Sequence, residues 1–335
     1  MYRKLMPIEP LPSSYREISV TEPVSLAFER VKLMLFQPFD PGKWFIIGFC
    51  AWLAGLGESG GGFPGYHANF PVGNDGRPDF RQSLDRTMNY VAENLYWIVP
   101  TAVALLVFFF ALGMAVLWLN SRGKFMFLHC VALNKAEAGE PWHKFGRAGN
   151  SLFWFRFALG LAGAVVCLPL VGMIAIIIMR MIRRGEPAPG GILLALGLGL
   201  MFFTLVVCLA LIQKFTVDFV VPIMFLRGGK CSAAWKEFSG LLTAHAGHFA
   251  LYVLFQIVLT MAIGALVFAT IIVTCCLAGC LMMLPFLGTV LLLPVLVFKR
   301  AYSIYFLAQF GAAYDVFPPA PAAGLPPVPP PSPSI

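Results

Sequence analysis

Charge is scarce in this chain. Only 12% of its 335 residues are Asp, Glu, Lys or Arg, about half of the ~25% usual in soluble domains. Signatures of chemistry are scarcer still. No paired carboxylates, Ser-His-Asp set or HExxH stands in a setting that would support hydrolysis. Gly60, Gly61, Gly62 and Gly65 are neither preceded by a strand pattern nor followed by Gly-Lys-Ser/Thr. A phosphate-cradling loop is therefore excluded, and a flexible external loop is expected there. A secretory signal is missing as well. Arg3, Lys4, Arg16, Arg30 and Lys32 mark the first forty residues, without an apolar core and small-residue cleavage site. The first membrane span should then act as an uncleaved signal. Six of the eight cysteines (Cys50, Cys167, Cys208, Cys275, Cys276, Cys280) sit in or beside apolar runs, where cysteine behaves as a small hydrophobe. No disulfide framework follows from them. Cys275, Cys276 and Cys280 lack the charged or histidine neighbours that would lower their thiol pKa values, so packing is their expected role.

Apolar residues fill the space that charge leaves. They make up 59% of the chain, and the mean hydropathy is +0.79, so most of the chain is solvated by lipid. The net charge of +8 does not gather on one soluble module. The basic residues fall at the ends of apolar runs, where they orient helices and meet anionic headgroups. The expected partner is the membrane, with anionic inner-leaflet lipids foremost, and no nucleic acid.

Residues 1–20 read as a flexible lead-in, residues 21–317 as a helical membrane domain, and residues 318–335 as a proline-rich disordered or PPII-like tail. Thr21 and Pro23 open an amphipathic helix carrying Val24, Phe28, Val31 and Leu35 at helical spacing. Six spans are expected at about 43–57, 97–119, 150–179, 191–212, 248–274 and 286–298. The first is short for a ~30 Å hydrocarbon layer, and the fourth can continue as helix through Lys214 to Phe225. Further surface helices are expected over 123–148 and 231–244, and an interfacial helix over AYSIYFLAQF after Arg300. The fold class is thus an all-α polytopic membrane protein with amphipathic interfacial helices. With both termini in the cytoplasm, only Arg77, Arg81, Arg86, Arg180, Arg183 and Arg184 of the 24 basic residues are external. The positive-inside rule therefore favours that orientation in the cytoplasmic membrane. The hairpin around residues 180–190 is either external or re-entrant.

Three surface segments share a pattern of an aromatic heading a helical turn: Phe28, Trp142 and Trp235. Each precedes a span that opens with aromatics, namely Trp44 and Phe45, Phe153 to Phe155, and Phe249 with Tyr252. The pattern suggests three repeated units of surface helix plus membrane hairpin.

Few polar residues lie within the spans. Lys214 and Asp218, four apart, form a candidate intramembrane polar pair. An interfacial salt bridge with a snorkelling lysine is the plainer reading. His245 and His248 are candidate interfacial polar residues, and two imidazoles without a third ligand do not make a metal site. Arg122, Lys124, Arg227, Lys230, Lys299 and Arg300 are expected to be membrane-interface basic residues. No catalytic residue, metal or cofactor is expected. His129 beside Cys130 is expected as a detail of the second surface helix.

The chain resembles a broad group of uncharacterised prokaryotic multi-helix membrane proteins, similar to the membrane domain fused to some glycerophosphoryl diester phosphodiesterases. DFVVPIM followed by AWKEF, SRGKFMF, and the closing RAYSIYFLAQFGAAYDVF carry the resemblance across most of residues 20–317. It implies a six-helix membrane module without the catalytic barrel and carries over no catalytic residue. The expected function is a non-enzymatic, lipid-facing scaffold or assembly partner, with a protein partner docking on the C-terminal tail. The alternative is a small transporter or channel for a lipid or hydrophobic substrate.

Overall fold

The computed structural model describes residues 18–57, 89–90, 92–184, 189–274, 279, 282 and 284–317. The glycine-rich loop after Gly57, Cys275, Cys276 and Cys280, the lead-in before Ile18 and the tail from Pro318 lie outside the described residues.

Every regular element among the described residues is helical. Helix α1 (Glu22–Val31) has Pro23 in its first turn and runs into a π-helical turn, Lys32–Phe36. It buries Ala27, Val31, Met34 and Leu35 along one face. Asp40 then accepts a hydrogen bond from the Gly42 amide at 2.9 Å and caps α2 (Pro41–Gly55), whose first residue is a proline. Helix α3 (Leu95–Leu133) is 39 residues long. At ~1.5 Å per residue it reaches roughly 60 Å, about twice the hydrocarbon thickness. Its two halves accordingly differ: residues from Leu95 to Leu112 are exposed apolar surface, whereas Asn120 to Ala132 are almost wholly buried. The helix stops at Asn134, in the left-handed region at φ 56°. There Arg30 donates to the Val131 and Ala132 carbonyls, filling acceptors that the helix end leaves open.

A short helix α4 (Gly139–Lys144) leads into α5 (Gly146–Arg184). Helix α6 (Pro189–Phe215) continues through a π turn (Thr216–Val220) into α7 (Val221–Arg227). Pro222 supplies no amide donor in the turn that follows, and Gly228 at φ 65° ends the helix. Helices α8 (Cys231–Ala244), α9 (Ala246–Val273), α10 (Pro285–Leu291) and α11 (Leu293–Ala308) complete the fold.

Among the described residues, four helical stretches are long and apolar enough to cross a membrane: Leu95–Leu133, Gly146–Met181, Gly190–Arg227 and Ala246–Val273. The α2 helix has 15 residues, and the α10–α11 pair is broken at Leu292. These two pack on each other, with Phe286 against Phe45 and Trp52, and Gly48 facing Val290.

The packed core gathers at one end of the four long helices, here termed the basic end because Lys124, Lys214, Lys299 and Arg300 lie there. Its centre is a group of rings: Phe215, Phe219, Phe238, Phe249, Tyr252 and Phe306. Two expectations change here. Residues 123–133 are no surface helix, for α3 continues unbroken through them, and His129 and Cys130 are buried. AYSIYFLAQF is not interfacial either: Ala301 to Ile304, Phe306 and Leu307 are buried within α11. Both stretches are buried because neighbouring helices surround them.

Candidate functional site

The chemistry of the basic end begins with the π turn. One extra residue in the turn re-aims its side chains, a device common at functional sites. Lys214 Nζ lies 2.9 Å from Asp218 Oδ2, with the lysine and aspartate side chains 34% and 17% exposed. The same Oδ2 accepts a hydrogen bond from the Tyr252 hydroxyl at 3.0 Å, and Gln256 Nε2 donates to that hydroxyl at 3.2 Å. Lys214 also sits over the Tyr252 ring, 5.7 Å from its centroid. The sequence pair is therefore part of a four-residue chain joining α6 to α9. Tyr252 and Gln256 were open to discovery as an i, i+4 polar pair within an otherwise apolar run.

Asp218 also lines a cleft of about 240 Å³ between α2, α3, the π turn and α11. Lys124, Lys299 and Arg300 line it too, against the small residues Ala51, Ala54 and Gly55. Lys124 and Arg300 are only 4% and 7% exposed. Arg300 Nη1 donates to the Val217 carbonyl at 2.6 Å, which anchors the guanidinium to the π turn.

The other basic residues stand apart from this cleft. Arg122 lies between Trp118 and Trp142, 4.4 and 4.9 Å from their ring centroids. Lys230 precedes α8, its carbonyl accepting from the Ala233 and Ala234 amides. Arg227 Nη2 donates to Glu237 Oε1 at 2.9 Å. So Lys124 and Arg300, expected at the membrane interface, are packed inside the protein. Their helices do not end where the apolar runs end.

A second buried polar group flanks the core. Asn120 donates to the Ala54 and Leu56 carbonyls at 2.8 and 2.7 Å, closing the end of α2. Arg156 in turn donates to the Asn120 side-chain oxygen. Neither residue belongs to any motif in the sequence. His245 and His248 have ring centroids 6.0 Å apart, and His245 rests on Phe310. Among the described residues no group of three His, Cys, Asp or Glu could hold a metal ion.

The Arg227 hydrogen bond, against the desolvation of the carboxyl, holds Glu237 below its ordinary value of 4.5. A depressed folded-state pKa stabilises the native protein above the unfolded value and loses that contribution as pH falls through the folded one. Glu237→Gln should therefore lower stability modestly at neutral pH, where the ion pair contributes, and flatten the acid limb of a stability–pH curve below about pH 4.5, so that the two curves converge at low pH. Parallel acid limbs for the two proteins would contradict this.

Neither curated proteins nor solved structures show a match to this chain. The match to one family model covers residues 18–293, which takes in all four long helices, the π turn and most of the α2–α10 contact. It speaks to the helical membrane chain, whereas the likeness to the phosphodiesterase membrane domain rests on the sequence patterns alone. The chain belongs to that family, a family of unknown function designated DUF7544.

Proposed function

We propose that this protein is a non-enzymatic integral protein of the cytoplasmic membrane that acts as a lipid-facing scaffold or assembly partner. One observation carries the reading: the long apolar helices are buried mainly at the basic end, and away from it their packing is largely confined to the approach of α5 and α6 at Gly163 and Leu209. The most apolar windows of Leu95–Leu133 and Gly190–Arg227 contain no buried residue. In α9 only Phe249, Tyr252 and Gln256 are buried, all within its first three turns. Beyond them Val258, Met261, Leu266 and Phe268 face outward. Apolar helices gain little by packing on one another in lipid, so such faces are covered by acyl chains or by helices of another protein.

In this reading the basic end is cytoplasmic, with both termini inside. The α2 and α10–α11 segments complete six spans as a short hairpin in a thinned region of bilayer. The three units of surface helix plus hairpin arise by internal repetition, and the amphipathic helices meet anionic inner-leaflet lipids. The tail beyond Phe317 offers a PPII-like docking segment for a protein partner. Kinship with the phosphodiesterase membrane domain would make this a membrane module working without a catalytic barrel. The second reading, a transporter for a lipid or hydrophobic substrate, draws on the cleft at Asp218.

Native mass spectrometry of protein extracted into lipid nanodiscs tests the choice. The expected result is a protein partner at fixed stoichiometry, retained by Asp218→Asn. That variant keeps an acceptor for Tyr252 and loses only a partly exposed i, i+4 ion pair, a cost of about 1 kcal/mol or less. No partner, together with a transport activity that Asp218→Asn abolishes in folded protein, would replace the scaffold with a transporter.

A further inference from the structure

The cleft beside the π turn has a lining that neither scaffold packing nor helix orientation requires. Orientation needs basic residues near a membrane face, and exposed side chains serve it as well as buried ones. Here Lys124 on α3 and Lys299 and Arg300 on α11 converge on one small space, two of them almost fully buried. Ionisable groups gathered at membrane depth around one space mark a functional place. Asp218 is the only carboxylate among the described lining residues. Its Oδ2 already accepts from both Lys214 and Tyr252.

The dimensions narrow the occupant. About 240 Å³ is smaller than the ~300–1,000 Å³ typical of pockets for drug-sized ligands, so the space suits a headgroup rather than a whole lipid. Its walls away from the cations are small or apolar, including Ala51, Ala54 and Leu296. A guanidinium and two ammonium groups are the donors that oxyanions select, since charge-assisted hydrogen bonds to phosphate are the stronger kind. The Arg300–Val217 bond fixes the guanidinium before any ligand arrives, which lowers the entropy cost of binding.

We propose that this cleft binds a phosphate group, held by Lys124, Lys299 and Arg300, either as the phosphodiester of an anionic lipid headgroup or as free phosphate. Asp218, paired with Lys214, orients the site by repelling the anion toward the three cations. Basic pockets between membrane helices are a known means of lipid recognition. The site rests on the chain lying in a bilayer, as in the reading above, but not on a protein partner.

The test uses the full-length protein in nanodiscs of phosphatidylcholine, with or without phosphatidylglycerol. Native mass spectrometry counts retained lipid, and thermal unfolding with added inorganic phosphate reports the free anion. Lys299→Gln removes one cation from a half-buried position. Ala54→Leu fills the cleft and leaves its charge intact, and Lys236→Gln removes an exposed charge on α8 as a control. One phosphatidylglycerol per protein, retained about tenfold less by Lys299→Gln and Ala54→Leu but normally by the control, identifies a lipid headgroup site. A phosphate-induced rise in unfolding temperature, lost in both cleft variants, identifies a free-phosphate site. Equal retention and equal thermal response in every folded variant would overturn the proposal. If one cleft variant fails to fold, the other decides. Loss of the protein partner with lipid retained would end the scaffold reading and leave this site standing.

Discussion

Phe219→Ala should destabilise the protein by about 3–5 kcal/mol, the range for truncating a buried phenylalanine. Phe219 is fully buried in the π turn. Its ring lies 5.3 Å from Phe238, 5.1 Å from Phe249, 4.9 Å from Tyr252 and 6.0 Å from Phe306. Three helices, α8, α9 and α11, thus meet on one side chain. Truncation removes the transfer energy of the ring, leaves a cavity that rigid neighbours cannot close, and forfeits aromatic pair contacts. Unfolding in mixed micelles measures the loss. Phe203→Ala is the internal comparison, because Phe203 is 64% exposed on the apolar face of α6 and should change stability by only about 0.5 kcal/mol. Similar values for the two would mean that the aromatic group does not hold the helices together.

The second large effect comes from adding atoms. A Cβ on Gly123 would sit 2.6 Å from the Leu53 carbonyl carbon and 2.6 Å from the Ala54 nitrogen. Both are backbone atoms of α2, so no rotamer change can relieve the clash, and the helices must part. Overpacking of this kind costs about 1–3 kcal/mol per site. Gly123→Ala should fall within that range, and Gly123→Val at or beyond its upper end. Separation also stretches the Asn120 bonds to Ala54 and Leu56, which hold the end of α2. Gly172→Ala makes the contrast: a Cβ there meets nothing within 4 Å, and the gain in helix propensity is at most about 1 kcal/mol. Unfolding midpoints should move in opposite directions. A fall of equal size in both would remove the close α2–α3 approach from the account.

These two residues also show what can be read along the chain. Phe219 is one of 31 phenylalanines in the sequence, and nothing local separates it from Phe203. Gly123 sits in SRGKFMF, where a glycine looks like a break, although α3 passes through it unbroken. Its purpose is the approach of α2, a segment some seventy residues earlier. The polar pair was more legible. Lys214 and Asp218 stand four apart in one helix, so their meeting is a local event. The Tyr252 partner of Asp218 lies 34 residues away, and the Val217 partner of Arg300 lies 83 residues away. No spacing rule reaches that far.

Local sequence signals already make this chain helical and suited to a membrane. Hydropathy, helical spacing and the breaks at Pro and Gly act over a few residues, and lipid admits few other ways to satisfy the polar backbone of an apolar segment. Packing between distant segments sets where the core lies, which basic residues turn inward, and that Lys124, Asp218, Lys299 and Arg300 line one cleft. An apolar residue faces lipid and a neighbouring helix at nearly the same free energy. The choice between them therefore rests on close packing and on a few buried polar contacts between distant segments.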